Sequence, residues 1–293
     1  MEQLGALAAL GAAALWTVNG VVTERKGIGL EGSALNFGRI LLGLLVITLT
    51  ALVFGGGILP LRASAGSWLW LLLSGLVGFA LGDTWLVKGF QTIGARLTLL
   101  VFSFAPVLTA VLSYLIFGER LSALNLLGMA LVMLGIAMVI GFKAEGGRSA
   151  VWGKGPLYAF LASLAQAVGT ISSKFGLMGM DALFATQVRL IGGALGMAVL
   201  FLLHRRWEKL GEVFRSANGR LTMLSGAVLG TLFGVVLSMV AIQHTKAAVA
   251  STLMATMPVL ILPISYLILK EKLRTKDLLG ALISVAGSAI LFL

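Results

Sequence analysis

Asp83 is the acid in this chain that stands where an acid is expensive. It falls about fifteen residues into a long apolar run, roughly 22 Å along a helix at 1.5 Å per residue. An ionised carboxylate there must be paired, hydrated or neutralised by a proton. Three roles are open to it: partner of a buried arginine such as Arg39, a group that binds substrate or carries a proton, or a carboxylate at the membrane interface. Arg39 and Arg189 each lie one to two turns inside an apolar run, where a long side chain either snorkels to the interface or reaches an anionic group within the bundle.

Amides and aromatics within apolar runs are the next candidates. Trp16 and Asn19 are three residues apart, hence on one face of a helix, and Gln166 lies near the centre of a later run. A buried amide needs hydrogen-bond partners, so these residues either glue helices together or line a cavity. Trp85, beside Asp83, is grouped with the cavity candidates. Pro106, Pro258 and Pro263 interrupt two runs near their middles. A proline frees a backbone carbonyl, which can bond a polar solute, act as a bending point or simply accompany kinked packing.

Other chemistry is scarce. His204 and His244 follow consecutive apolar runs and so lie on opposite membrane faces, unable to share a metal. Glu24, Glu31, Glu119, Glu145, Glu208, Glu212 and Glu271 fall at run ends or in loops, where solvation is the plain expectation. There are no cysteines, no Ser/His/Asp cluster, no HExxH and no P-loop. No catalytic residue, metal or cofactor is expected, and the chain is not read as an enzyme.

These residues must be positioned by membrane-spanning helices. Of 293 residues, 59% are hydrophobic and 11% charged, and the mean hydropathy is +1.03, far from a soluble domain. The chain divides into ten runs: Leu4–Val22, Ser33–Phe54, Trp68–Val87, Ala95–Phe117, Ala123–Phe142, Pro156–Phe175, Ala182–Leu203, Leu221–Ile242, Ala247–Leu269 and Thr275–Leu293. The first lacks the basic start of a cleaved signal peptide. The net charge of +11 sits between apolar runs, which points to membrane orientation rather than nucleic acid.

An internal repeat organises the runs. Pro106-Val107-Leu108, Ser113-Tyr114-Leu115-Ile116, Glu119, Leu121, Gly128 and Gly135 recur as Pro258-Val259-Leu260, Ser265-Tyr266-Leu267-Ile268, Glu271, Leu273, Gly280 and Gly287. The register extends to Gln91/Gln243, Ala95/Ala247 and, with a two-residue slip, Arg39/Arg189. Each unit holds five runs, and an odd number inverts the second unit relative to the first. Loops after the odd-numbered runs carry 16 Lys/Arg against 4 after the even-numbered ones, which puts the basic face in the cytoplasm and both termini outside. Ser74, Gly78 and Gly82, matched by Gly226, Gly230 and Gly234, form small-residue stripes suited to close packing, or alternatively to a backbone surface facing solute.

Over essentially its whole length the chain resembles the drug/metabolite transporter superfamily, specifically its two-repeat EamA-type members. The resemblance rests on Leu15-Trp16-Thr17-Val18-Asn19, on the arginine early in runs two and seven, and on the proline-centred runs leading into Gly118-Glu119-Arg120-Leu121 and Lys270-Glu271-Lys272-Leu273, where Lys270 replaces the expected glycine. Leu81-Gly82-Asp83-Thr84 with Ile93-Gly94-Ala95 is similar to one subgroup. The resemblance implies a secondary transporter exporting a metabolite or drug-like solute, with proton coupling an open option. It also implies cytoplasmic termini, contrary to the charge count.

The expectation is therefore an all-α integral membrane protein of ten transmembrane helices in two inverted five-helix repeats. Residues 1–142 form the first repeat, 143–155 the connecting loop and 156–293 the second. Its partners would be a small-molecule solute, membrane lipids and, on the coupled reading, protons, with self-association left open and a prokaryotic inner membrane as its place. The competing expectation is a membrane scaffold or ligand sensor that translocates nothing.

Overall fold

The computed structural model describes residues 1–27, 29–54, 57–141, 154–267 and 275–292, and along these it is helical apart from short connections. The loop joining the repeats and the Lys270–Leu273 step lie outside them, and of Glu24, Gln91, Ala95, Pro258 and Ser265 only the backbone is described. The helices are α1 (Glu2–Lys26), α2 (Gly32–Phe54), α3 (Ala65–Gly75), α4 (Asp83–Phe102), α5 (Ala105–Phe117), α6 (Ala123–Gly141) and α7 (Lys154–Gly176). They continue as α8 (Ala182–His204), α9 (Trp207–Arg215), α10 (Ala217–Ser225), α11 (Val236–His244), α12 (Ala247–Met254), α13 (Met257–Leu267) and α14 (Thr275–Ile290). Wider π-helical turns, Leu76–Gly82 and Gly226–Val235, join α3 to α4 and α10 to α11.

These elements fall on the ten expected runs. Six are long and apolar enough to cross a membrane: Glu2–Thr23, Gly32–Phe54, Ala65–Gly89, Ala182–His204, Ala217–His244 and Ala247–Ile264. Ala105–Phe117 and Ala123–Met138 are shorter apolar helices. α7 is 23 residues long but more polar, since its buried Ser163, Ser172 and Ser173 face neighbouring helices rather than lipid. The chain is a multi-pass membrane protein. Its outer surface is apolar, with Leu45, Leu49, Leu115, Leu195 and Leu202 each more than half exposed.

Two expected runs are not continuous helices. The fourth breaks at Ser103–Phe104, between α4 and α5, and the ninth at Ala255–Thr256, between α12 and α13. Pro106 and Pro258 have no N–H, so the carbonyls of Phe102 and Met254 lose their helical donors and each helix ends there. A third change of direction lies within α4. Gly89 lies against Thr98, whereas nine residues of straight helix would separate them by about 13 Å, so the chain folds back between the third and fourth runs. α9 was not expected at all. It is a short amphipathic helix whose Leu210 and Val213 are buried, packed against α2 and α10.

Glycine contacts reveal how the repeats are related. Gly128, early in α6, meets Gly287, late in α14, while Gly135, late in α6, meets Gly280, early in α14. Repeat-equivalent helices thus pair antiparallel, as a two-fold axis lying across the helices requires, and this is the inverted arrangement. The stripes obey the same symmetry. The third run packs on α7, with Ser74 Oγ donating to Gly169 O at 2.6 Å and Gly78 against Gly169. The eighth run packs on α1, with Gly230 against Asn19 and Gly234 against Trp16. The missing Cβ atoms let these backbones approach, and packing is the role the stripes serve.

Candidate functional site

The two breaks come together. Phe102, Ser103, Ala105 and Pro106 from the first, and Met254, Ala255 and Met257 from the second, line one crevice with Trp16, Gln166, Ile136 and Ser251, enclosing about 520 Å³ including its open mouth. Much of this lining is related by the repeat: Ser103 with Ala255, Phe102 with Met254 and Ala105 with Met257 are each 152 residues apart. Matching Asn19–Gly230 with Gly169–Gly78 gives α1 and α7 an offset of 150 residues, which makes Gln166 the counterpart of Trp16. The crevice therefore sits on the two-fold axis.

Its polarity is sparse and neutral. Among the described residues, none that lines it is charged. Trp16 Nε1 donates to Gly230 O at 2.9 Å, in the second π-helical turn, so the indole presents its apolar body to the space. Ser251 Oγ accepts from Thr109 Oγ1 at 3.4 Å. The Gln166 carboxamide has no hydrogen-bond partner among the described residues, which leaves its donors and acceptor free within the crevice.

Asp83 lies elsewhere. Arg39 Nη2 donates to Asp83 Oδ2 at 3.0 Å and to Asn36 Oδ1 at 2.6 Å, while Asn36 Nδ2 donates to Phe79 O at 3.2 Å in the first π-helical turn. This chain of bonds ties α2 to the third run. Arg189, expected to snorkel or to reach an anionic group, does not snorkel, and the charge of Asp83 acts on it without a direct ion pair. It is 5% exposed, stacks its guanidinium 4.7 Å over the Phe79 ring, approaches Met239 Sδ at 3.6 Å and leaves Nε without a partner. The reason is geometric: the small-residue stripe of the third run brings α8 so close, with Gly75 against Arg189 O, that the side chain is enclosed before it reaches an interface.

Of the expected site residues, the crevice collects Trp16, Pro106 and Gln166, and Met257 places the backbone of Pro258 beside it. Asn19 instead accepts a hydrogen bond from Ser225 Oγ at 3.0 Å and glues α1 to α10. Asp83, Arg39, Arg189 and Trp85 are not part of its lining. Two solvated carboxylates were misplaced by sequence reasoning. Glu31 pairs with Arg206 at 3.0 Å and accepts from Ala34 N at the start of α2. Glu119 pairs with Lys174, with side chains only 16% and 22% exposed. Ser103, Ser251 and the two methionines beside the second break were also missed; the alignment of the two proline breaks was the signal that could have found them.

The comparisons with known proteins agree with this architecture. Over 98% of its length the chain superposes on 95% of a solved crystal structure with a TM-score of 0.79 at 18% identity, which establishes a shared fold. It is 25% identical to an uncharacterized transporter of Archaeoglobus fulgidus over 99% of both chains. An uncharacterized transporter of Synechocystis is 25% identical over 73% of this chain and 68% of its own length. A WAT1-related chloroplastic protein of Arabidopsis thaliana is 23% identical over 78% of this chain, which spans about half, 55%, of that longer protein. The profile of the EamA-like transporter family matches residues 3–141 and again 153–293, one match per repeat, and the chain belongs to that family.

Proposed function

We propose that this protein is a secondary transporter that moves a small, uncharged organic solute by alternating access, with the crevice on the two-fold axis as its binding site. The observation that carries this reading is the Gln166 amide, unpartnered among the described residues, in a crevice whose described lining is uncharged, set between two proline breaks. A neutral solute with an apolar or aromatic body and one amide or hydroxyl group suits it: the body replaces Met, Phe and Trp contacts with similar ones, and the polar group satisfies Gln166 and the freed carbonyls. A permanently charged solute would have to shed its water with no counter-charge to meet it.

The breaks also supply the moving parts. Carbonyls already released from helical hydrogen bonds let α4 and α12 swing against α5 and α13 without breaking further bonds. The family resemblance suggests export, and the 16 to 4 split of basic residues favours a cytoplasmic basic face. Proton coupling is assigned to no residue of the crevice; Asp83 is the carboxylate to test for it.

Purified protein in liposomes, offered a panel of neutral amides, nucleosides and amino acids, should accumulate or exchange at least one. Gln166→Leu should abolish that flux while folded protein stays abundant, because leucine is tolerated in the bundle but bonds nothing. Binding without flux would establish a sensor and overturn the proposal, and undiminished flux in Gln166→Leu would move the site elsewhere.

A further inference from the structure

The two-fold symmetry is inexact, and one of its departures bears on access to the crevice. α5 packs on α7 as α13 packs on α1, and α12 packs on α1 as α4 packs on α7. α12 also packs on α5, whereas no comparable seam joins their counterparts, α4 and α13, among the described residues. The extra seam lies toward the face that carries Met1, where Glu2, Ser122, Thr245 and Phe292 gather. The crevice is therefore covered on that terminal face.

One cluster of side chains holds the seam. Glu119, just beyond α5, pairs with Lys174 at the end of α7 and accepts a hydrogen bond from Ser113. Lys174 takes Oε1, and Oε2, which Ser113 reaches, also accepts from Ala247 N, at the first residue of α12, at 3.3 Å. Lys174 Nζ donates in turn to Thr245 O at 3.3 Å and sits 5.7 Å from the centre of the Phe117 ring. A carboxylate at a helix N-terminus is favoured by the helix dipole and the unpaired N–H groups, so Glu119 fastens α12 to α5 and α7 at once. The repeat cannot supply the same fastening on the basic face. With the two offsets of the repeat, the positions of Lys174 and Glu119 become Glu24 and Glu271 in the sequence, two like charges.

We propose that Glu119 and Lys174 are the latch of the terminal face, the gating residues that decide which side the crevice opens to. The proposal rests on the transport reading above, because a latch matters only where access alternates. Opening that face requires Glu119 to release Lys174 and Ala247 N together, and closing the basic face must use contacts of another kind.

The test needs no solute. The chain has no cysteine, so Ser103→Cys places a single thiol in the crevice, and a membrane-impermeant maleimide can be applied to either face of oriented proteoliposomes. In the parent, labelling should be fast from the basic face and slow from the terminal face. Lys174→Gln and Glu119→Gln should each raise the terminal-face rate about tenfold, and Lys174→Arg should restore it to the parent value. Ser113→Ala, which removes one donor and leaves the ion pair, should give a smaller rise of about threefold and serves if the charge variants fail to fold. Fast terminal-face labelling of the parent, or an unchanged rate in folded Lys174→Gln or Ser113→Ala, would overturn the latch. Variants that open as expected in a protein that moves no solute would support the latch and refute the transport reading instead.

Discussion

Replacing Asp83 by asparagine isolates the charge of the intramembrane pair, because the carboxamide keeps the shape and one acceptor. Arg39 Nη2 lies 3.0 Å from Asp83 and 2.6 Å from Asn36, so the arginine retains a neutral partner after the change. Breaking a fully buried pair costs about 3–5 kcal/mol. These side chains are 22% and 31% exposed, and with Asn36 still bonded the expected loss falls to about 1–2 kcal/mol. That is a shift of roughly 5- to 30-fold in the ratio of folded to unfolded protein. Arg39→Gln should cost a similar amount. The double variant removes both charges together and should cost less than the two singles combined, with a coupling energy of about 1 kcal/mol. Reversible unfolding in mixed micelles with increasing SDS measures all four corners of the cycle. A coupling below about 0.3 kcal/mol would show that the two residues do not act as a unit. A stable Asp83→Asn protein that exchanges solute but loses accumulation driven by a pH gradient would make Asp83 the coupling carboxylate.

Three further outcomes follow from the packing and the charges. Gly135→Ala and Gly287→Ala should each destabilise the protein by about 1–3 kcal/mol in the same unfolding assay, since a Cβ at either position meets the backbone of the partner helix; Gly20→Ala, with nothing within 4 Å, should be neutral or slightly stabilising, and equal losses at all three would refute the reasoning. Trp16→Phe strips the donor from Gly230 O and should cost about 1 kcal/mol or more while enlarging the crevice; unchanged stability would show that water takes over the carbonyl. A phosphatase fused after Leu293 should be active on the outer side, and an inactive fusion beside a fluorescent counterpart would reverse the orientation read from the charges.

The repeat was legible because rare residues carry it: proline, tyrosine and glutamate recur in one order, and no helical propensity alone would produce that. The antiparallel meeting of Gly128 with Gly287 and Gly135 with Gly280 follows from the same seven-residue spacing in both copies. The broken helices were half legible. Pro106 and Pro258 marked them, but the breaks lie two to three residues earlier, because the carbonyl a proline leaves unpaired belongs to the residue four before it. α9 escaped a search for long apolar runs. Its signal is amphipathic, with Trp207, Leu210 and Phe214 at helical spacing on one face and Glu208, Lys209 and Glu212 around it.

Charged residues were the least legible, for a reason that bears on function. Whether Arg189 snorkels or stacks over Phe79, and whether Glu119 is solvated or holds Lys174, depends on which helix ends converge, and no local pattern encodes that. A sequence repeated twice can specify features that both halves share: the stripes, the breaks, the crevice on the axis. By symmetry it sets no preference for the face on which a seam closes. Two equivalent halves can hold different conformations in turn, and the positions where they differ bias which face is closed. Lys174 opposite Glu24 is such a position in this sequence, and Asp83, whose counterpart 152 residues on is Val235, is another. Residues that break the repeat inside or at the ends of its helices are therefore where the direction and coupling of the proposed transport should be sought, while the residues that keep it build the crevice.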